Sequence, residues 1–544
     1  MTIDSSTLSQ ARTAALKASQ AFIPTATSLV SYQSSGKLLI IGTVDQAIPL
    51  AKQLSLYLEC AIILPEHSPN DYVQMSAIPM TRGKVQKISG YLGHYYVELM
   101  VNNQAYNPAI LFNGHHEFID LILDLTEPPH LKQEIFPVGY YAPNGNEAIV
   151  AALLQELPDM MGQFDKPKFF NYDPNICAHG RSGQVGCTLC LTACPTEAIQ
   201  SQGEHIAVNP HLCQGAGSCT SVCPTGALTY NYPSLADTLN QLRQLLSTFF
   251  EHGGEQARVI FYSRDKAESM AELTNLLPPY FLPFAVAEIG SVGIDLMLST
   301  LAYGAQQIIL LSDDQTTPMV IDVLNKQCSY IQPLLTAMGY PVAMVKLQLW
   351  QNDLMQLSTH LQEPVILPNI KRVTYAGLNE KRTLLRLAIT HLYQQAKQHP
   401  SEVALPQGAP FGEIQVDVLR CTLCMACVSQ CPCAALSDGG EVPLLKFNES
   451  ACVQCGLCQA SCPEEAITLS ARYLFSSELR MTPRIINETQ PFHCIDCGKP
   501  FATQLMINRM QSKLKDHWMF QGDGIRKLQM CENCRVKVMF NEQA

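Results

Sequence analysis

The sequence predicts a multidomain chain of α/β and α+β type: two α/β segments alternate with two cysteine-rich modules, and a four-cysteine module lies toward the C-terminal end. Three observations predict it. The 544 residues exceed the ~100–200 that one domain usually holds. Twenty of the 22 cysteines fall in three groups, seven from Cys177 to Cys223, nine from Cys421 to Cys462 and four from Cys494 to Cys534. Between the groups, short apolar runs alternate with stretches of helical periodicity.

Composition narrows the function classes. Hydrophobic residues make up 47% and charged residues 15%, which is too apolar for a disordered chain. The longest apolar runs, such as Ala148-Ile-Val-Ala-Ala-Leu-Leu154, fall well short of the ~18 residues of a membrane span. A net charge of -11 argues against general nucleic-acid binding. The start, Met1-Thr-Ile-Asp-Ser-Ser-Thr-Leu, has no basic stretch followed by an apolar block, so a cytoplasmic location is expected. Thiols stay reduced there, and Cys-x-x-Cys pairs mean metal or redox chemistry.

Residues 1–35 are expected to form an N-terminal helical segment and residues 36–165 an α/β domain. Lys37-Leu-Leu-Ile-Ile41, the stretch through Leu50-Ala-Lys-Gln-Leu54, and Ala61-Ile-Ile-Leu64 read as strand, helix and strand, with further strands at 97–101 and 121–125. The opening is similar to a Rossmann unit. Val44 stands where the nucleotide fingerprint needs its second glycine, which favours a structural α/β unit over dinucleotide binding. The pair His115-His116 is read as a turn.

Residues 166–232 hold Cys187-x2-Cys190-x3-Cys194-Pro195 and Cys213-x2-Ala216-x2-Cys219-x3-Cys223-Pro224. These are two copies of the bacterial two-cluster ferredoxin run with two departures. Gln184 occupies the first ligand position, so the nearest upstream thiol, Cys177, must reach in over a longer loop. Ala216 occupies the second position of the second run, so one thiolate is missing. The cysteine before proline crosses to the other cluster in such modules. One site would then take Cys177, Cys187, Cys190 and Cys223, and the other only Cys194, Cys213 and Cys219. The incomplete corner leaves a 3Fe-4S cluster or a labile 4Fe-4S cluster open.

Residues 233–400 read as a second α/β domain, with strands at 258–262, 284–287 and 307–311 and helices at 266–277 and 293–303. The stretch from Glu288-Ile-Gly-Ser-Val-Gly293 through Ala302-Tyr-Gly-Ala305 resembles the delta-subunit domain of methyl-viologen-reducing hydrogenases. That family's domain carries cluster cysteines, whereas this one has only Cys328, so a scaffold or docking role is expected. A final helix is expected to open at Asn379 and to place Leu385, Ile389 and Leu392 on one face, followed by a linker from His399 to Gly412.

Residues 401–475 carry the run intact and twice: Cys421-x2-Cys424-x2-Cys427-x3-Cys431-Pro432 and Cys452-x2-Cys455-x2-Cys458-x3-Cys462-Pro463. The crossing rule assigns Cys421, Cys424, Cys427 and Cys462 to one 4Fe-4S cluster, and Cys452, Cys455, Cys458 and Cys431 to its neighbour, with Cys433, Cys60 and Cys328 spare. All four runs continue alike after the proline, through small residues to Ile199, Leu228, Leu436 or Ile467; a short helix sealing the cluster is expected there. Both modules resemble the ferredoxin-type 4Fe-4S dicluster family.

Residues 485–544 carry Cys494-x2-Cys497 and, after 33 residues, Cys531-x2-Cys534. Two such knuckles suit tetrahedral zinc in a zinc-ribbon-like module, with a rubredoxin-like iron or a redox dithiol pair as alternatives. Clusters held entirely by cysteine have no open position for substrate and move single electrons, so three or four clusters, with 3Fe-4S as the alternative at the incomplete site, predict electron relay rather than a stand-alone enzyme. The whole-chain order resembles bacterial multi-cluster ferredoxin-type proteins associated with formate dehydrogenase systems, which implies a redox partner of that kind or its maturation pathway. The alternatives are a flavin- or nicotinamide-linked subunit of heterodisulfide-reductase or hydrogenase type, and a metalloenzyme maturation factor. Oligomeric state is not legible.

Overall fold

The computed structural model describes residues 5–22, 24, 28–67, 77–114, 116–350, 353–373, 375, 380–440 and 442–541. His115 and Asn379 lie outside these residues.

The first α/β unit is built on a five-stranded parallel sheet in the order Met80–Arg82, Glu59–Leu64, Lys37–Ile41, Leu121–Asp124, Tyr140–Tyr141. The central strands are continuous apolar runs because both faces are covered. Leu38 and Ile40 pack under the helix Val44–Leu54, while Leu39 and Ile41 point to the other face. That second face is covered by the antiparallel strands Lys84–Ser89, Tyr96–Val101 and Gln104–Tyr106 through Ile88, Val97 and Leu99.

The stretch 1–35 is not helical throughout. A helix, Ser5–Gln20, is followed by a strand, Leu29–Ser34, that pairs antiparallel with Gly162–Pro167. Alternation of buried Val30, Tyr32 and Ser34 with exposed neighbours fits a strand with one wet face. The helix joins the other α/β unit, where Ala11 and Ala15 are fully buried in the core around Leu242, Leu245 and Phe249.

That second unit is a four-stranded parallel sheet in the order Phe281–Val286, Arg258–Ser263, Gln307–Asp313, Val345–Trp350. The first three strands and two intervening helices lie where the periodicity places them, the helices at Ala267–Leu276 and Ile294–Ala302. The fourth strand and the helix Pro318–Ala337 add to that pattern; Pro333 inside this helix obscures it in sequence. The last helix runs Lys381–Gln394 with Glu380 at its N-cap, and buries Leu385, Ile389 and Leu392. The expected linker 399–412 is ordered structure. Glu402–Ala404 pairs with Ile467–Leu474, and Leu405, Ala409 and Phe411 are buried in the second sheet's core, together with Tyr473 and Phe475.

The two cysteine modules share one plan. In the first, Phe170–Tyr172 pairs with Leu228–Tyr230 and encloses the hairpin Ile199–Gln202 with His205–Val208. In the second, Gly412–Val416 pairs with Ile467–Leu474 and encloses the hairpin Leu436–Gly439 with Val442–Phe447. The helical turn expected after each Cys-Pro lies before it instead, at Leu189–Thr192, Ser218–Val222, Ala426–Gln430 and Leu457–Ala460. After proline the chain makes a turn whose second residue (Glu197, Gly226, Ala434 or Glu465) is left-handed, which blocks helix and sends the chain into a strand. The apolar residue that follows is buried in all four repeats, as expected. Among the described residues no helix is long and apolar enough to cross a membrane.

Candidate metal centres

Three of the four runs wrap their cysteines around a loop with left-handed backbone immediately before the short helix, whereas Thr188 in the Cys187 run has φ of -121°. Gly217, Met425 and Gly456 hold that position with φ of 81°, 59° and 84°. The helix then lifts the third and fourth cysteines of the run to different heights, so thiols from two loops converge.

In the first module Cys177, Cys187, Cys190 and Cys223 line one small cavity, together with Tyr172, His179 and Leu228. Burial first, and then the charges of Cys177 and Cys223, together push Cys187 and Cys190 up to about 12. The long loop required by Gln184 is a miniature hairpin, Gly180–Arg181 with Gln184–Val185. His179 anchors it: fully buried, its ring contacts the Cys187 carbonyl oxygen at 2.9 Å and Ser201 Oγ at 2.7 Å. No metal-ligand spacing marks His179 in the sequence, and its role is legible only once the hairpin is placed.

The other thiols of this module are Cys194, Cys213 and Cys219. Burial raises Cys213 and Cys219, and the charge of Cys194 adds to both. At Ala216 the site faces the second α/β unit, because a Cβ on Gly290 would come within 2.4 Å of the Ala216 carbonyl oxygen. Lys166 Nζ donates to the carbonyls of His211 and Cys213 at 2.9 and 2.7 Å; burial lowers its pKa to about 8.

In the second module Cys431, Cys452, Cys455 and Cys458 line one cavity, and Cys433 lines it with them. Burial pushes Cys455 up to about 11 and Cys433 up to about 12. Burial together with the charges of Cys421, Cys424 and Cys462 likewise pushes Cys427 up to about 12. The crossing cysteines accept backbone hydrogen bonds, Ala435 N to Cys431 Sγ at 3.2 Å and Ala466 N to Cys462 Sγ at 3.3 Å. Thiols crowded this closely resist ionisation one by one, whereas iron displaces their protons together; the donor sets fit clusters of iron and sulfide.

The two modules touch. Gly186 lies against Leu457, and the charge of Cys455 acts on Cys187 across the boundary. Lys381 and Arg382 also bridge them, donating to carbonyls of the Ser218–Val222 helix and of Cys452. No motif or spacing in the sequence singles these two out.

The four C-terminal sulfurs of Cys494, Cys497, Cys531 and Cys534 all lie within 4.8 Å of one another, with Cys497 and Cys531 3.7 Å apart. Metal–sulfur bonds of ~2.3 Å in a tetrahedron set sulfurs about 3.8 Å apart, so the cradle fits one such ion. Cys494 and Cys497 sit on the turn between Pro491–His493 and Pro500–Thr503, and Cys534 lies in the helix Glu532–Asn541 directly after Cys531. The second knuckle thus opens a helix, where a ribbon would have a second hairpin. Burial raises Cys494, but N–H groups of Cys497, Cys531 and Asp496 outweigh it and lower the thiol to about 6.

A family model described as a 4Fe-4S dicluster domain matches residues 185–227, and one described as a 4Fe-4S binding domain matches residues 445–468. No curated protein matches the chain. The first match spans Cys187 to Cys223 and begins after Cys177; the second covers the last four cysteines of the regular module. The chain is an iron–sulfur protein of mixed α/β architecture that carries two 4Fe-4S ferredoxin-type domains.

Proposed function

We propose that the chain relays single electrons along a line of four cysteine-held centres. Their order is Cys194/Cys213/Cys219, then Cys177/Cys187/Cys190/Cys223, then Cys431/Cys452/Cys455/Cys458, then Cys421/Cys424/Cys427/Cys462. The observation that carries this reading is the contact of Gly186 with Leu457, which sets the loops of Cys187 and Cys455 against each other where the two modules meet. Bound clusters supply one-electron redox chemistry at low cost in rearrangement. The protein's part is to hold the thiolates, bury them under Ile199, Leu228, Leu436 and Ile467, and fix the distance between modules. The three-thiolate site beside Ala216 is the one place where iron would meet a non-cysteine donor or be lost. The C-terminal sulfur cradle is read as structural zinc that tethers the last 50 or so residues.

The partner in this reading is a redox enzyme, and the resemblance in domain order suggests a formate dehydrogenase system in the cytoplasm. The test is anaerobic quantification of iron, sulfide and zinc together with redox-titrated EPR. About 16 irons with one zinc supports four cubanes, about 15 supports a three-iron centre, and about 8 would mean that the irregular module stays empty and the relay is broken.

A second reading is favoured by one feature. A cavity of about 330 Å³ opens at the C-terminal ends of the second parallel sheet, lined by Ser263, Glu288, Asp313 and Trp350 and reaching Ala216. Ligands of α/β sheets bind at this edge. A flavin or nicotinamide seated there would make the chain an oxidoreductase subunit; cluster reduction by NADH or NADPH alone, or flavin in the purified protein, would establish it.

A further inference from the structure

Lys381 and Arg382 are consecutive, and both are buried, at 5% and 8% exposure. Buried cations are ordinarily matched by carboxylates. Among the described residues neither has a carboxylate within ion-pair distance. Successive residues of a helix point about 100° apart. The helix Lys381–Gln394 therefore aims the two cations at different modules. Lys381 Nζ donates to the carbonyls of Thr220 and Ser221, at 2.9 and 2.6 Å, in the turn between Cys219 and Cys223. Arg382 donates from Nη2 to the carbonyls of Cys452 and Ser450, at 2.9 and 3.1 Å, and from Nη1 to Pro410 at 2.7 Å; its guanidinium lies over the Phe411 ring. Carbonyl dipoles offset part of the cost of burying these charges, but they carry no net negative charge.

The missing counter-charge lies in the thiolate sets. Four thiolates around a cubane core leave a net negative charge, which grows by one when the cluster takes up an electron. A fixed cation held against the ligand loop therefore favours the reduced form. We propose that Lys381 and Arg382 act as one electrostatic clamp, which raises the reduction potentials of both modules, each cation acting on the module its hydrogen bonds reach. The clamp rests on the relay reading and names its regulator: both residues are positioning residues that act through the Cys219–Cys223 turn and the Cys452 loop.

The test compares the full chain with Arg382→Gln, Arg382→Lys, Lys381→Met and Lys381→Arg, reading iron and sulfide content and EPR midpoint potentials in one preparation. Arg382→Gln should keep its iron and lower the midpoint of one cluster by a tenfold change in the reduced-to-oxidised ratio, about 59 mV for one electron. Lys381→Met should lower a different midpoint by a similar factor. Arg382→Lys and Lys381→Arg keep the charge and should hold the parent's midpoints. Full iron with unmoved midpoints in both neutral variants overturns the proposal. Should Arg382→Gln fail to load iron, the Lys381 pair decides: a tenfold fall in Lys381→Met with none in Lys381→Arg supports the clamp, and a midpoint unmoved in both, or lowered in both, overturns it. A parent protein without iron and sulfide would overturn the relay reading itself before any variant is compared.

Discussion

Gly186 and Leu457 approach so closely that a Cβ on the glycine would lie 2.5 Å from the leucine Cγ and 2.8 Å from the carbonyl oxygen of Ala178. The leucine can turn aside, but the carbonyl is backbone and cannot. Gly186→Val should therefore push the Cys187 loop away from Cys455. Overpacking of this kind costs about 1–3 kcal/mol. The expected outcome is a lower melting temperature and weaker magnetic coupling between the reduced centres in EPR, with iron content unchanged. An unaltered coupling signal would remove this contact from the relay.

Ala216 stands at the sequence position of a fourth ligand and carries a methyl group where the other runs carry a thiol. Ala216→Cys adds one atom to an existing methyl group, between Cys213 and the Cys219 of the helix Ser218–Val222. Mild oxidation of the parent should give a three-iron type EPR signal that the variant lacks, and the variant should hold one more iron per chain. A parent that keeps four irons at this site after oxidation would mean that another donor, water or a side-chain oxygen, fills the corner.

The parallel sheets and the two cysteine modules were legible because their signals are local. Ile, Leu and Val runs between helical periods mark Lys37–Ile41 and Gln307–Asp313, and thiols at fixed spacing mark the ferredoxin runs. What escaped depends on long-range packing. The strand Leu29–Ser34 finds its partner some 130 residues away, at Gly162–Pro167. The turn after each Cys-Pro is helix-compatible by composition and is diverted by one left-handed residue, a backbone choice that Glu197 and Glu465 do not announce. Lys381 and Arg382 look like surface residues until the two modules close over them.

The C-terminal cradle makes a separable claim. Cys531 is buried, and its backbone N–H donates to Cys494 Sγ at 3.3 Å, so its thiol is central to the set. Cys531→Ser substitutes a poorer oxygen donor and should lower the zinc content below that measured for the parent. The same variant should leave the iron content and EPR spectra unchanged. Parallel loss of iron would mean that the C-terminal module also holds up the second ferredoxin-type domain, to which it is tied by Thr503 Oγ1 donating to the Thr422 carbonyl at 2.9 Å.

Acid should loosen the first α/β unit at one identifiable carboxylate. Asp124 is fully buried at the end of a central strand and accepts hydrogen bonds from Thr126 Oγ1 at 2.7 Å, from the His130 N–H and Nδ1 at 2.8 Å each, and from Tyr140 OH at 2.5 Å. Burial alone would raise its pKa, yet the bonds from His130, Thr126 and Tyr140 prevail and bring it down to about 2. An unfolded aspartate titrates near ~3.9. The folded value is the lower one, so the stabilisation is complete above pH ~4 and is lost as pH falls toward 2; a shift of this size corresponds to roughly 2 kcal/mol. Hydrogen exchange in Lys37–Ile41, which pairs with this strand, should therefore accelerate between pH 4 and 2 beyond the intrinsic change in rate. Asp124→Asn should exchange faster than the parent at pH 6, and the difference should shrink toward pH 2. Equal protection in parent and variant at pH 6 would show that the carboxylate's hydrogen bonds do not hold this sheet together.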